Sequence, residues 1–232
     1  MASVGVGSEP PATLTQPAGV TSPRLVIQNV TASVNVHIRL DLGTITARVK
    51  NAEYNPRKLP AVVMRIREPK VTALLFTSGK VVVTGAPGIE AAKQAARKFV
   101  GIIENLGYKP AFLGFTIQNM VATAEIGFPI SLERLVYAHS RVCSYEPELF
   151  PGVIFRVSRV RVVAHIFLSG RVVLTGAKVV DHLQAALAHI TPILHQYRAM
   201  GADGKPTPMP TPSSLSRSCS RSRTMSLDVN DI

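Results

Sequence analysis

An internal repeat spans most of the chain, and it limits the possible folds more than any other feature. Residues 54–86, YNPRKLPAVVMRIREPKVTALLFTSGKVVVTGA, align without a gap on residues 145–177, YEPELFPGVIFRVSRVRVVAHIFLSGRVVLTGA. The sequence IQN at Ile27 recurs at Ile117. We therefore predict two similar halves, residues 24–110 and 111–200. Flexible tails are expected over residues 1–23 and 201–232, since both lack apolar periodicity and the second contains a Ser/Arg run.

Both halves predict the same elements. Two β-branched runs joined by Ser-Gly, VTALLFTSGKVVVTG and VVAHIFLSGRVVLTG, are typical of hairpins. A helix with one apolar stripe should follow each hairpin, because the apolar residues recur at steps of three and four. The stripes consist of Ile89, Ala92, Ala96, Phe99, Ile103 and Leu106 in the first half, and of Leu183, Leu187, Ile190, Leu194 and Tyr197 in the second. The sequence thus predicts an α+β fold.

The strands carry more apolar surface than one long helix per half can cover. Their side chains are apolar on both alternations, a pattern of sheets that are covered on both faces. The uncovered face would hold Leu74, Phe76, Val82 and Thr84, and in the second half Phe167, Val173 and Thr175. An exposed apolar face rimmed by Arg and Lys is typical of a binding surface.

The net charge of +12, with a pI near 10.2, favours a polyanionic partner such as nucleic acid or an acidic protein. An anionic membrane surface is the weaker alternative. The sequence holds no apolar run of membrane-spanning length and no secretion signal at its start, which predicts a soluble intracellular protein. It also holds no phosphate-loop, HExxH or GxSxG motif, and neither the two cysteines nor His182, His189 and His195 complete a metal site. We expect no enzyme activity, no cofactor and no metal.

Several long motifs resemble the TATA-box-binding protein family over about residues 24–200: LVIQNVTASV, NAEYNPRK, VVMRIREPK, FTIQNMV, CSYEPELFPG and IFLSGRVVLTGAK. This resemblance implies a saddle-shaped tandem repeat with pseudo-two-fold symmetry. A curved ten-stranded antiparallel sheet would lie over double-stranded promoter DNA, with helices on its convex face. Binding would take place in the minor groove, with apolar wedges between base steps.

The resemblance also implies roles for individual residues. The minor-groove contacts would be Asn29, Thr31, Leu74, Val82, Thr84, Asn119, Val121, Val163, His165, Val173 and Thr175. The DNA wedges would be Leu59, Phe76, Phe150 and Phe167, and the phosphate contacts Lys50, Arg65, Lys80, Arg156 and Arg171. The protein-partner residues would be Lys93, Arg97, Lys98, Glu146, Glu148 and Leu149.

Three of these positions depart from the family pattern. Leu59 replaces a wedge phenylalanine, Thr31 replaces a valine, and His165 replaces a leucine. All three fall on the DNA-reading face, so we expect a relaxed TATA preference, weaker bending or a different DNA target. His165 is expected to tolerate or read a G·C pair; the alternative is a neutral histidine that merely packs.

The halves also differ in charge. Residues 24–110 hold 14 Lys/Arg and 5 Asp/Glu, whereas residues 111–200 hold 8 and 5. By resemblance, the basic residues of the first long helix would dock transcription factor IIA-like partners, and the acidic YEPELF loop would dock transcription factor IIB-like partners. Other promoter-binding initiation complexes are further expected partners.

Two functions follow from these patterns. The first is a nuclear general transcription initiation factor that binds and bends promoter DNA and recruits initiation proteins. The second is a related scaffold that partner proteins bring to promoters and that binds DNA weakly or without specificity. Unbound copies are expected to be able to form a homodimer through the apolar face.

Overall fold

The structure is a computed structural model that describes residues 23–200. The predicted tails therefore lie outside the described residues, apart from Pro23. The elements of the first half are β1 (Val26–Asn35), α1 (Leu42–Arg48), β2 (Ala52–Tyr54), β3 (Ala61–Ile66), β4 (Val71–Phe76), β5 (Lys80–Ala86) and α2 (Ile89–Asn105). Those of the second half are β6 (Leu113–Glu125), α3 (Leu132–Ala138), β7 (Cys143–Ser144), β8 (Gly152–Val157), β9 (Val162–Phe167), β10 (Arg171–Ala177) and α4 (Val180–Gln196). The order of elements in the first half repeats in the second.

All ten strands form one antiparallel sheet with the order β2-β3-β4-β5-β1-β6-β10-β9-β8-β7. The order is symmetric about its centre. Each strand of the first half lies as far from the centre as the equivalent strand of the second half, here called its repeat mate. The halves meet at the central pair of β1 and β6, where Thr31 lies opposite Asn119. A single continuous sheet therefore joins the two repeats.

Strict alternation along the hairpin strands separates the two faces of the sheet. In β4, Val71, Ala73 and Leu75 are buried while the residues between them are half-exposed, and β9 shows the same pattern. The buried side chains pack with the apolar stripes of α2 and α4, whose buried members include Phe99 and Ile190. The predicted helical stripes are thus confirmed as the core-facing surfaces of the long helices.

The turn of each hairpin depends on a glycine. Gly79 and Gly170 have φ angles of +84° and +83°, a region that side chains disfavour. A Cβ at either position would also collide with a backbone carbonyl, that of Ile38 or that of Phe128. The Ser-Gly signal in the sequence therefore marks the tight turn correctly in both halves.

Two short helices escape the sequence prediction, which assigned only one long helix to each half. The first, α1, buries Leu42 and Ile45, and the second, α3, buries Leu132 and Leu135. Two buried residues in seven give too short a stripe to recognise as a helical period. Both short helices add to the core below the outer strands.

Candidate nucleic-acid interface

The face of the sheet opposite the helices, here called the open face, is continuous across both halves. It includes the half-buried side chains of Asn29, Thr31, Leu74, Val82, Thr84, Asn119, Val121, Val163, His165, Val173 and Thr175. Cross-strand register places Leu74 opposite Val82 in the first half and His165 opposite Val173 in the second. All eleven residues predicted to contact the minor groove therefore share one surface.

Two asparagines occupy equivalent positions near the centre of the open face. The Asn29 Oδ1 accepts a hydrogen bond from the Gly85 backbone nitrogen at 2.8 Å, and the Asn119 Oδ1 accepts one from Gly176 at 2.9 Å. Because a backbone N–H can only donate, it fixes the amide oxygen on its side and leaves the amide nitrogen, with its two N–H donors, at the other end. Each asparagine thus presents a hydrogen-bond donor on the open face.

The hydroxyl groups beside these asparagines are arranged differently in the two halves. In the first half the Thr31 and Thr84 hydroxyls bond each other at 3.1 Å. In the second half the repeat mate of Thr31 is Val121, and the Thr175 hydroxyl accepts a bond from the Asn119 Nδ2 at 3.4 Å. The Thr31 substitution therefore changes the hydrogen bonding around one asparagine of the pair.

The predicted wedge residues form an aromatic pair in the second half. The ring centroids of Phe150 and Phe167 lie 5.6 Å apart, with an interplanar angle of 59°. They pack over Gly152, where an added Cβ would lie 2.9 Å from the Phe150 Cε1 atom. In the first half Phe76 lies opposite Ala61, and Leu59 supplies no second ring. The predicted wedge residues therefore differ between the two ends of the open face.

His165 introduces a polar group among the apolar side chains of the second half. Its ring meets Phe150 edge-on, with centroids 5.4 Å apart. Partial burial lowers the pKa of His165 below its ordinary value, so the imidazole is neutral at neutral pH. Its Nδ1 is the one buried side-chain nitrogen or oxygen in residues 23–200 that lacks a hydrogen-bond partner.

The five predicted phosphate contacts, Lys50, Arg65, Lys80, Arg156 and Arg171, are all exposed. Two of them are already paired with carboxylates. The Arg65 Nη1 lies 3.1 Å from the Glu53 Oε1, and the Arg171 Nη2 lies 3.1 Å from the Glu125 Oε1. Both ion pairs are mostly exposed to solvent and therefore contribute little to stability.

The predicted basic docking surface lies on α2, where Lys93 is half-buried. Two of its members make contacts within the chain. The Lys98 Nζ donates a hydrogen bond to the Glu68 carbonyl at 2.6 Å, and the Arg97 guanidinium lies 5.9 Å from the Phe112 ring centroid. Two of the positive charges therefore contact other parts of the chain.

The acidic loop predicted to dock a partner contains Glu146 and Glu148. The equivalent loop of the first half, residues 55–59, has the same backbone hydrogen bond. The Phe150 amide donates to the Glu146 carbonyl at 2.9 Å, and the Leu59 amide donates to the Asn55 carbonyl at 2.9 Å. Glu148 is exposed at the position that Arg57 occupies in the first half, and the Leu149 side chain is 79% exposed where Lys58 stands. The two loops therefore share one turn and carry opposite charges.

The described residues contain no group of three or more side chains suited to holding a metal ion. Within the same residues, no helix is long and apolar enough to cross a membrane. Of the three histidines on α4, His195 packs against the Phe128 ring at a centroid distance of 4.8 Å.

Sequence reasoning missed three groups at the interface. The Gly85 and Gly176 amides orient the asparagines, and the shared TGA sequence of both halves could have indicated them. The carboxylates of Glu53 and Glu125 were missed as arginine partners. A third missed contact joins the Gln118 Nε2 to the Ser33 hydroxyl at 2.8 Å, between the central strands.

The open face has polar donors at its centre, apolar side chains around them and basic residues at its rim. This arrangement is typical of a protein that binds a polyanion. The family model described as "Transcription factor TFIID (or TATA-binding protein, TBP)" matches residues 24–106 and 114–197. The chain belongs to this family. The expected saddle fold, a curved open sheet built from a tandem repeat, is thereby confirmed, as is the expectation that the protein is a transcription factor and not an enzyme.

Individual relatives agree with this assignment. The chain is 48% identical over 192 residues to "TATA-box-binding protein 1" of Triticum aestivum, which covers 83% of this chain and 81% of the relative. It is 49% identical over 200 residues to "TATA-box-binding protein" of Artemia franciscana, covering 85% and 73%. The solved structure "Methanococcus jannaschii TBP" superposes with a TM-score of 0.69 at 36% identity, covering 75% of this chain and 99% of that one.

Proposed function

We propose that this protein is a general transcription initiation factor that binds promoter DNA in the minor groove through its open face and bends it. The observation that carries the proposal is the pair of oriented asparagines, each of which presents an amide donor. The minor groove offers base acceptors at every A·T pair, so donors at the centre of the face match it.

The apolar surroundings of the asparagines support the same function. Val82 and Val173 lie on either side of the centre and can pack against the groove floor, where a guanine amino group would be a steric obstacle. Phe150 and Phe167 are positioned to enter a base step at one end of the site, and Leu59 and Phe76 at the other. Proteins that bind the minor groove use such apolar side chains to kink the duplex.

The three departures from the family pattern support a relaxed preference for TATA sequences. One wedge lacks a ring, one asparagine neighbours a threonine pair, and one end carries an imidazole. Each change replaces apolar or aromatic contact area by a smaller or more polar group. We propose that direct recognition is retained and that its selectivity is reduced.

Two further surfaces are proposed to recruit initiation proteins. The basic residues Lys93, Arg97 and Lys98 on α2 suit an acidic partner of the transcription factor IIA type. The loop with Glu146, Glu148 and the exposed Leu149 suits a basic partner of the transcription factor IIB type. A protein with this role acts in the nucleus.

A scaffold that reaches promoters through its partners is the second candidate. The ion pairs of Arg65 and Arg171 favour it, because carboxylates on the rim weaken the attraction of DNA. The two candidates differ in whether the isolated protein discriminates between DNA sequences.

The deciding experiment measures the affinity of the full-length protein for three duplexes at two salt concentrations. The first carries a TATA element, the second has every A·T pair of that element replaced by inosine·cytosine, and the third has G·C pairs there. Inosine·cytosine keeps the minor-groove acceptors of A·T and changes the major groove. We expect the first two duplexes to bind alike and the G·C duplex to bind about 10- to 1,000-fold more weakly. Equal affinity for all three, with a steep salt dependence, would favour the scaffold.

A further inference from the structure

His165 breaks the repeat at one end of the open face. Its repeat mate is Leu74, and both residues lie in the same register: Leu74 is opposite Val63 and Val82, and His165 is opposite Ile154 and Val173. The two ends therefore have matching backbones and apolar cross-strand neighbours. They differ in that one end carries a ring with two nitrogen atoms.

The Nδ1 atom of this ring is buried and has no hydrogen-bond partner in the described part of the chain. Buried polar atoms without a partner are rare in folded proteins, and each one calls for an explanation. The cross-strand neighbours Ile154 and Val173 and the edge-on Phe150 ring have no side-chain group that could form a hydrogen bond with Nδ1. A bound molecule is the natural source of its partner.

The protonation state defines what kind of partner Nδ1 needs. Burial lowers the pKa of His165, so the ring is neutral and has one donor nitrogen and one acceptor nitrogen. Among backbone groups, a buried donor without a partner is rarer than a buried acceptor without one. By the same reasoning we assign the proton to Nε2, which is not among the buried atoms without a partner. Nδ1 is then an acceptor, and it requires a donor.

The floor of the minor groove offers a single kind of donor on its base edges. Adenine N3 and thymine O2 are acceptors, and the 2-amino group of guanine is the donor that distinguishes G·C from A·T. We infer that His165 is a specificity-determining residue that accepts a hydrogen bond from the guanine 2-amino group, so that this end of the site tolerates a G·C pair. The inference rests on the proposed minor-groove function.

The proposed insertion of Phe150 into the DNA would also expose the His165 Nδ1. Phe150 packs against the His165 ring in the free protein, and Phe150 is also a proposed wedge. When its ring leaves the open face to enter a base step, the contact with His165 is lost. The side of the imidazole that Phe150 covered then faces the base pair next to the kink.

The test compares G·C with inosine·cytosine, which differs from it in the minor groove by the 2-amino group alone. Three duplexes share one A·T-only site: the first is unchanged, the second has one terminal pair replaced by G·C, and the third has the same pair replaced by inosine·cytosine. The affinities of the full-length wild-type protein are measured beside those of His165→Leu, which restores the residue of the other half, and of His165→Gln, which keeps an acceptor.

For the wild type we expect the G·C duplex to bind as tightly as the inosine·cytosine duplex, or more tightly. For His165→Leu we expect the G·C duplex to bind about ten-fold more weakly than the inosine·cytosine duplex, because the amino group then meets a methyl group. His165→Gln should recover part of the tolerance for G·C. The compared quantity is the ratio of the affinities for the G·C and inosine·cytosine duplexes within each variant. A variant that binds all DNA more weakly leaves this ratio unchanged.

An unchanged ratio of the two affinities in His165→Leu would overturn the inference. The inference would also be overturned if His165→Leu weakened binding to all three duplexes by the same factor, because His165 would then contact a group that the three duplexes share. If the wild type fails to bind the A·T-only duplex, the proposed function itself fails, and the role of His165 fails with it. The reference duplex therefore separates the two failures.

Discussion

The two halves share a buried face and differ on the open face. Among the buried positions, Ala73 has Ala164 as its repeat mate and Leu75 has Ile166, so the side-chain volume hardly changes. On the open face, Leu74 has His165 as its mate. Buried positions allow few substitutions because a packed core resists changes of volume. The fold is therefore repeated, while the side chains of the open face differ between its two ends.

The asparagine pair is common to both halves, and replacing its amide donors by acceptors is expected to have the largest effect. Asn29→Asp or Asn119→Asp keeps the shape and the acceptor for the glycine amide, but replaces the amide N–H donors by a carboxylate oxygen. That oxygen would face base acceptors and phosphates, so we expect the affinity for the TATA duplex to fall about 100-fold or more in either variant. Fluorescence anisotropy with a labelled duplex measures this.

Asn105→Asp is the matched control, because it adds the same charge at the exposed C-terminal end of α2. Its affinity should stay within about two-fold of the wild type, since the helix lies on the far side of the sheet. A loss of less than about three-fold in both open-face variants would show that the asparagines are not groove donors.

Substitutions of the predicted wedge residues test whether the two ends of the open face differ in how they contact DNA. Phe150→Leu makes the second half resemble the first, and Phe150→Ala removes the wedge. Since stacking of a base on an aromatic ring contributes about 1–3 kcal/mol, we expect Phe150→Ala to lose about ten-fold or more in affinity. Leu59→Ala should lose about three-fold, because leucine has no ring to stack. Thermal unfolding of each variant checks that the fold is intact.

Equal losses in Phe150→Ala and Leu59→Ala would contradict the difference between the two ends. In that case the leucine would be as effective a wedge as the phenylalanine.

Removing the ion pair between Arg65 and Glu53 is expected to change the DNA affinity by a smaller factor. Arg156, its repeat mate, has no carboxylate within 4.0 Å among residues 23–200, while Arg65 is held by Glu53. Glu53→Gln should release Arg65 to a phosphate, raising the affinity for any duplex about three-fold and steepening the salt dependence by about one counterion. Titrations at a series of salt concentrations give both values.

Glu104→Gln on α2 changes the net charge by the same amount away from the open face. If it steepens the salt dependence as much as Glu53→Gln does, the effect comes from overall charge and not from Arg65.

The smallest expected effect concerns stability. The Asp41 carboxylate caps α1, accepting bonds from the Gly43 amide at 3.0 Å and the Thr44 hydroxyl at 2.6 Å, whereas its mate Ser131 makes no side-chain bond to the described start of α3. The bonds to Thr44 hold the pKa of Asp41 below its ordinary value of 3.8. Asp41→Ala should therefore lower the melting temperature at neutral pH, and Ser131→Ala should leave it nearly unchanged.

The pH dependence follows from the direction of this shift. A carboxylate with a lowered pKa stabilises the fold above its unfolded pKa, and the contribution disappears as the pH falls through the folded value. The difference in melting temperature between the wild type and Asp41→Ala should thus shrink between neutral pH and about pH 2. A difference that persists undiminished at the acidic end would contradict the capping role of the carboxylate.

The sequence predicts the parts of the fold that depend on repeated, periodic patterns. The hairpins, the stripes of α2 and α4 and the position of the open face are visible because each is encoded twice. The ion pair of Arg171 is not visible, because its partner Glu125 lies 46 residues away and the contact depends on the pairing of β10 with β6. The missing partner of the His165 Nδ1 is likewise a property of packing in three dimensions.

If the open face binds the minor groove and bends the duplex, as we propose, binding must shorten the distance between the DNA ends. Fluorescence resonance energy transfer between dyes at the two ends of a TATA duplex should rise when the full-length protein binds. It should rise equally with the inosine·cytosine element, and Phe150→Ala should reduce it at saturating protein. Binding that leaves the transfer efficiency of both duplexes unchanged would contradict the account and favour the scaffold.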